Sequence, residues 1–157
     1  MKSFTEQYDK LSQFLLSEVA VGPGFDPDLA SPPLPKNYIC VWDTGATHSV
    51  VSQRVVDDLQ LEPIGVTLAT HVNGAGDVTL YLASMRLPNG VGFAGLTVTR
   101  GAFLDFDVLI GMDIIGAGDF AVSNFAGKTA FSYRYPSMGL IDFTEGRSAS
   151  VAPPGSL

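Results

Sequence analysis

One cysteine, few charges and no long apolar run: each of these shortages excludes something. Cys40 is the single cysteine of the 157-residue chain, so no disulfide can form within it. A disulfide-free chain fits a reducing compartment by default. Nine Lys and Arg stand against sixteen Asp and Glu, giving a net charge of −7 and a pI of about 4.5. No Lys/Arg run occurs, which argues against a nucleic-acid footprint and against a basic membrane-binding face. No apolar stretch is long enough to span a bilayer. The opening "MKSFTEQYDKLSQFLLSEVA" breaks its apolar positions with acids and polar residues, so it lacks the apolar centre of a signal peptide. These absences lead us to expect a soluble, cytoplasmic protein with neither nucleic acid nor membrane as partner. The sequence also lacks an internal repeat, a phosphate-binding loop and a dinucleotide fingerprint. His48 and His71 have no nearby cysteine and no histidine one helical turn away, so no metal or other cofactor is expected.

What is present suits short strands joined by tight turns. Hydrophobic residues make up 46% of the chain, with 17 Gly and 10 Pro, in a length typical of one domain. We expect an all-β fold with two short helices. Strands are read at 38–42, 47–51, 66–72, 77–87, 91–99, 102–104, 107–110, 119–125 and 128–135. "NGAG" at 73–76, "PNG" at 88–90 and "AGK" at 126–128 supply the turns. Ser52 is placed to cap a helix through "QRVVDDLQ", and a second helix follows Gly111. Ahead of the strands, Phe4, Tyr8, Leu11, Leu15 and Val19 recur at helical spacing, and Ser3 with Glu6 fits a capping box. Residues 3–20 are therefore read as a helix. The organisation expected is an N-terminal helical arm and Pro-rich connector at 1–36, a main domain at 37–143 and a flexible tail at 144–157.

The chemistry concentrates at "WDTGATHSVVS", residues 42–52. The apolar run Tyr38-Ile39-Cys40-Val41-Trp42 ends on an acid, Asp43, and carboxylates are rarely left beside a core without a partner or a task. Trp42 is expected to anchor the core beneath Asp43, and Cys40 to be packed rather than nucleophilic. Gly45 permits a sharp turn and the close approach of another chain. Thr44 offers a hydroxyl, and Ala46 leaves room for a substrate main chain. A lone carboxylate can be a base; two that share a proton act as base and acid together. No second Asp-Thr-Gly or Asp-Ser-Gly exists in the chain. A second Asp43 must then come from a second copy, across a two-fold axis.

Three stretches, in order, carry a resemblance: Asp43-Thr44-Gly45-Ala46 after its apolar strand, the Gly-rich hairpin "HVNGAGDV" at 71–78, and "DVLIGMDII" at 107–115. The chain resembles the retropepsin-like aspartic proteases, single-domain homodimeric relatives of pepsin, and looks especially like soluble prokaryotic or phage-type members. The resemblance implies a closed, barrel-like half of a pepsin, aspartic endopeptidase activity, a homodimer, a peptide or protein substrate and no cofactor. It casts Asp43 as the catalytic acid and base, one per protomer, and Thr44 as the residue that ties the two loops together. Gly45 would accept from the substrate backbone. Asn73, Gly74, Ala75 and Gly76 would form the tip of a substrate-covering flap. Leu109 would line a side-chain pocket, and Gly111 would pack close to the catalytic loop. Viral members usually carry acids just after this motif. Here Thr47 and His48 stand there instead, so the grip on substrate is expected to differ. Asp113 is read as a helix-start or salt-bridge acid. Self-processing within 21–36 or 144–157 is a further expectation.

Two other readings compete. A catalytically silent dimeric module with the same fold would bind peptides, but such a role does not need an ionisable pair on the axis. A phosphotransferase holding phosphate at an Asp-x-Gly-x-Thr turn needs a larger two-lobed chain and a second phosphate loop.

Overall fold

The structure, a computed structural model, describes residues 1–28, 31–71, 74–102 and 105–143. The tail at 144–157, Asn73 and most of the strand expected at 102–104 lie outside the described residues. For 69–71, 74 and 75 only the backbone is described.

The all-β class expected from the sequence is the one found. The strands are β1 (Lys2–Gln7), β2 (Leu16–Pro23), β3 (Lys36–Trp42), β4 (Val50–Ser52), β5 (Pro63–His71), β6 (Gly74–Arg86), β7 (Gly92–Gly101), β8 (Val108–Ile110), β9 (Asp119–Phe125) and β10 (Lys128–Tyr135). Two short helices intervene, α1 (Gln53–Leu59) and α2 (Met112–Ile115). One sheet runs β2-β3-β8-β4-β7-β6-β5, and an added β2–β6 pairing closes its first six strands into a barrel. β5 pairs outside that ring, on β6, as one arm of a hairpin. The other sheet is β1-β10-β9. Closure removes the free edges that β2 and β6 would otherwise expose.

The expected helix over residues 3–20 is not formed; β1 and β2 occupy that stretch. Phe4, Tyr8, Leu15 and Val19 do face the core, but as strand and loop residues. Long-range pairing overrides the local period: Phe4 lies opposite Tyr133 on β10, and Val19 opposite Tyr38 on β3. The break between β1 and β2 contains no Gly or Pro and is held from afar. Thr129 Oγ1 accepts from Ser12 N at 3.0 Å, and Thr129 N donates to Lys10 O at 3.2 Å. β2 also runs through Gly22 to Pro23, beyond the end of the expected helix. Pro23 is its last residue, a position that tolerates a missing donor.

The inside of the barrel and the three-stranded sheet meet at Trp42. Its ring stacks on Phe120 at 5.4 Å between centroids, and it also touches Phe4, Phe131 and Tyr133. Its Nε1 donates to Ser17 Oγ at 3.0 Å, so the buried indole keeps no unmet donor. This is the anchor expected beneath Asp43. Cys40 is packed beside Ser17 with no exposed surface, and burial pushes its thiol up to about 11.

Candidate active site

β3 carries Trp42 into the core and delivers Asp43 to the barrel end, half-buried. The loop after it is fixed by backbone bonds. Asp43 N donates to Ile110 O at 3.0 Å, and Ala46 N to Asp43 O at 3.3 Å. The Asp43 carboxylate turns back on its own loop, where Oδ1 accepts from Gly45 N at 2.8 Å. An acid receiving a backbone N–H two residues on is a common turn device, and it orients the carboxylate here. Thr44 and Gly45 are exposed, and Ala46 is half-buried.

The third expected stretch, 107–115, comes to the same place. β8 pairs in parallel with β3, setting Leu109 opposite Val41 and Ile110 opposite Trp42. Gly111 then lies directly against the loop. A Cβ there would meet His48 C at 2.6 Å, His48 O at 2.7 Å and Ala46 O at 3.0 Å, so only glycine fits. Met112 N donates to Ala46 O at 2.8 Å, which joins the start of α2 to the same loop. Leu109 is half-buried beside this junction.

β4 begins at Val50, three residues later than the strand expected at 47–51, so Thr47, His48 and Ser49 belong to the loop. Thr47 Oγ1 and His48 Nδ1 are 2.9 Å apart, and both residues are exposed. Ser49 is the residue the sequence did not single out. Fully buried, it donates from N and Oγ to the two oxygens of Asp113 at 2.9 and 2.8 Å. Its Oγ also accepts from Gly111 N at 3.2 Å. Asp113 opens α2, as expected of a helix-start acid, and its carboxylate straps the Asp43 loop to that helix. A serine among valines is a weak signal alone. Paired with an acid two places after the Leu-Ile-Gly stretch, it becomes readable.

The hairpin places the remaining expected residues. Gly74, Ala75 and Gly76 begin β6, with His71 opposite Gly74 and Ala69 opposite Gly76. Among the described residues, no hydrogen bond joins this hairpin to the Asp43 loop within one protomer. The described residues contain no group of three or more His, Cys, Asp and Glu placed to hold a metal ion. No helix among them is long and apolar enough to cross a membrane.

No protein-family model matches the sequence, and no curated protein matches it. Solved structures do align with the chain. A retropepsin-like aspartic protease from Rickettsia conorii aligns over 84% of this chain and 93% of its own, at 11% identity and a TM-score of 0.49. The simian foamy virus protease aligns over 65% and 92%, at 16% identity and a TM-score of 0.44. The EIAV protease in complex with the inhibitor HBY-793 aligns over 68% and 88%, at 17% identity and a TM-score of 0.46.

Proposed function

We propose that the chain is one half of an aspartic endopeptidase, active as a homodimer in which two Asp43 carboxylates share one proton and activate a water. The observation that carries this reading is the interlock of the Asp43-Thr44-Gly45 loop with Gly111. A barrel-end carboxylate is held in a defined orientation by Gly45 N. The loop around it is braced by Ile110, Gly111 and Met112 and leaves its tip exposed.

In the assembled site, the ionised Asp43 takes a proton from water as it attacks the scissile carbonyl, and the protonated one donates to the carbonyl oxygen. Two like charges in contact cannot both ionise, which keeps one acid protonated. Thr44, exposed at the loop tip, bonds to the loop of the second copy. Gly45 and Ala46 admit the substrate backbone, and Leu109 contributes to a side-chain pocket. Thr47 and His48 contact substrate where viral members place acids. The β5–β6 hairpin, with Gly74, Ala75 and Gly76 opening β6, closes over the peptide and excludes water. The chain's own segments 21–36 and 144–157 are candidate substrates. The edge strand β9 and the exposed Met138, Leu140 and Ile141 support a surface for self-association.

The test is cleavage of a diverse peptide mixture by wild type and Asp43→Asn, read by mass spectrometry from acid to neutral pH. The substitution is expected to lower kcat/KM on the order of 10³-fold, the scale of a lost general acid–base, with association intact. Wild-type activity should also rise faster than linearly with protein concentration near the dissociation constant of the dimer. Equal cutting by both proteins would remove Asp43 from the mechanism. No cutting by either, from a folded dimer, would favour the silent peptide-binding module.

A further inference from the structure

At the other end of β3 the barrel carries a cavity that the peptidase reading does not use. Its volume is about 620 Å³, within the range of small-molecule sites. Phe25, Pro33 and Leu34 of the Pro-rich connector form one wall, and Met85 and Phe93 of the barrel form the other. Ala20, also in the lining, pairs with Arg86 on β6 and with Asn37 at the start of β3. Asp43 follows the far end of that strand, about 20 Å away at the rise of an extended chain. The cavity is therefore separate from the Asp43 loop.

The lining is apolar except for Ser84 and one charge, Arg86. Arg54 pairs with Asp58 and Asp107, Arg100 with Gln53, and Arg134 with Asp119. Arg86 is the one arginine among the described residues whose side chain makes no hydrogen bond or ion pair. Acids outnumber basic residues in this chain of net charge −7, and Arg86 is exposed at the rim of the hollow. Asp26 and Asp28 sit in the same connector, but neither pairs with Arg86; Asp26 Oδ1 instead accepts from Asp28 N at 2.9 Å. An unpaired guanidinium beside an apolar hollow matches a ligand with an apolar body and one carboxylate.

We infer that this cavity is a second binding site, and that it takes an unbranched fatty-acid-like carboxylate. The chain packs between the connector and Phe93, and the head group pairs with Arg86. In the uncleaved chain the site needs nothing from the Asp43 loop and stands or falls without the peptidase reading.

The probe is octanoate, titrated into the full chain below its micellar range by calorimetry, with octanol as the uncharged control. The methyl groups of the four methionines are followed by NMR. Saturable one-to-one binding is expected, with the Met85 resonance moving and those of Met1, Met112 and Met138 still. Arg86→Gln, at an exposed position, should weaken octanoate about tenfold and leave octanol unchanged. Absence of saturable binding would overturn the inference. So would equal affinity in Arg86→Gln, or shifts at the other methionines without Met85.

Discussion

Two sides of the molecule are built on opposite terms. The three-stranded sheet side is aromatic and closed: Phe4, Trp42, Phe120, Phe131 and Tyr133 form one contact cluster, with Phe131 and Tyr133 fully buried. The β5–β6 hairpin is open: Ile64, Val66 and Leu68 recur along β5 at exposures of 55%, 65% and 69%. A rigid floor keeps a carboxylate in place, whereas a surface that meets a partner must leave apolar area uncovered in the lone chain. The contrast makes the two sides separable by mutation.

The largest effect is expected at the joint. Trp42→Ala empties the centre of the aromatic cluster and should cost about 3–5 kcal/mol, the usual scale for deleting a buried large aromatic. Urea denaturation should show the midpoint falling, or the chain failing to fold. A loss under 1 kcal/mol would mean that the cluster does not hold the two sheets together.

Next is Gly111→Ala. The added methyl meets backbone atoms of His48 and Ala46, which cannot swing aside as a flexible side chain does. A stability loss of about 1–3 kcal/mol is expected from this overpacking. Peptide cleavage should fall further than stability at temperatures where the variant stays folded. A variant with unchanged cleavage would detach the Gly111 interlock from the site.

The closed side also carries a pH signature. Burial pushes the Asp119 carboxyl up, but donation from Ser137 Oγ, Met138 N and Arg134 outweighs it and holds the group below the usual carboxylate range. A lowered folded-state value means that the stabilisation is present above the unfolded carboxylate pKa. It is lost as pH falls through the folded one. Thermal melts of Asp119→Asn should therefore differ from wild type at neutral pH and converge with it in acid. A gap that stays constant with pH would remove the ionised carboxylate as its source.

The smallest effect is expected on the open side. Leu68→Ser should change stability by no more than about 0.5 kcal/mol, as for other exposed positions. Its effect should appear in KM or in self-association, measured by peptide kinetics and sedimentation. A large stability loss would show that the hairpin is packed in the lone chain and would erase the contrast.

The all-β class and the local devices around Asp43 were legible; the N-terminal part of the frame was not. Asp43 and the Ser52 cap, whose oxygen accepts from Val55 N, follow from local chemistry, an acid after an apolar strand and a hydroxyl before a helix, whereas the packing of Gly111 against the loop was reached through the resemblance. The N-terminal strands were hidden because their defining contacts are remote in sequence. Phe4 owes its place to Tyr133 and Trp42, and its spacing to Tyr8 fits a helix as well as a strand. In β2 a buried serine, Ser17, stands where alternation calls for an apolar residue, because it accepts from the Trp42 indole. The Ser49–Asp113 strap escaped for the same reason, since its partners are 64 positions apart.

Cys40 has a consequence for anyone who wishes to watch the molecule work. Sealed beside Ser17 with a thiol near 11, it is protonated and inaccessible at neutral pH. The chain thus offers a silent background for thiol chemistry. A cysteine introduced at exposed Thr67 would be the one site to take a fluorophore or spin label. A single label per chain would turn the proposed pairing of two copies, and the proposed closing of the hairpins, into a distance that spectroscopy reads directly.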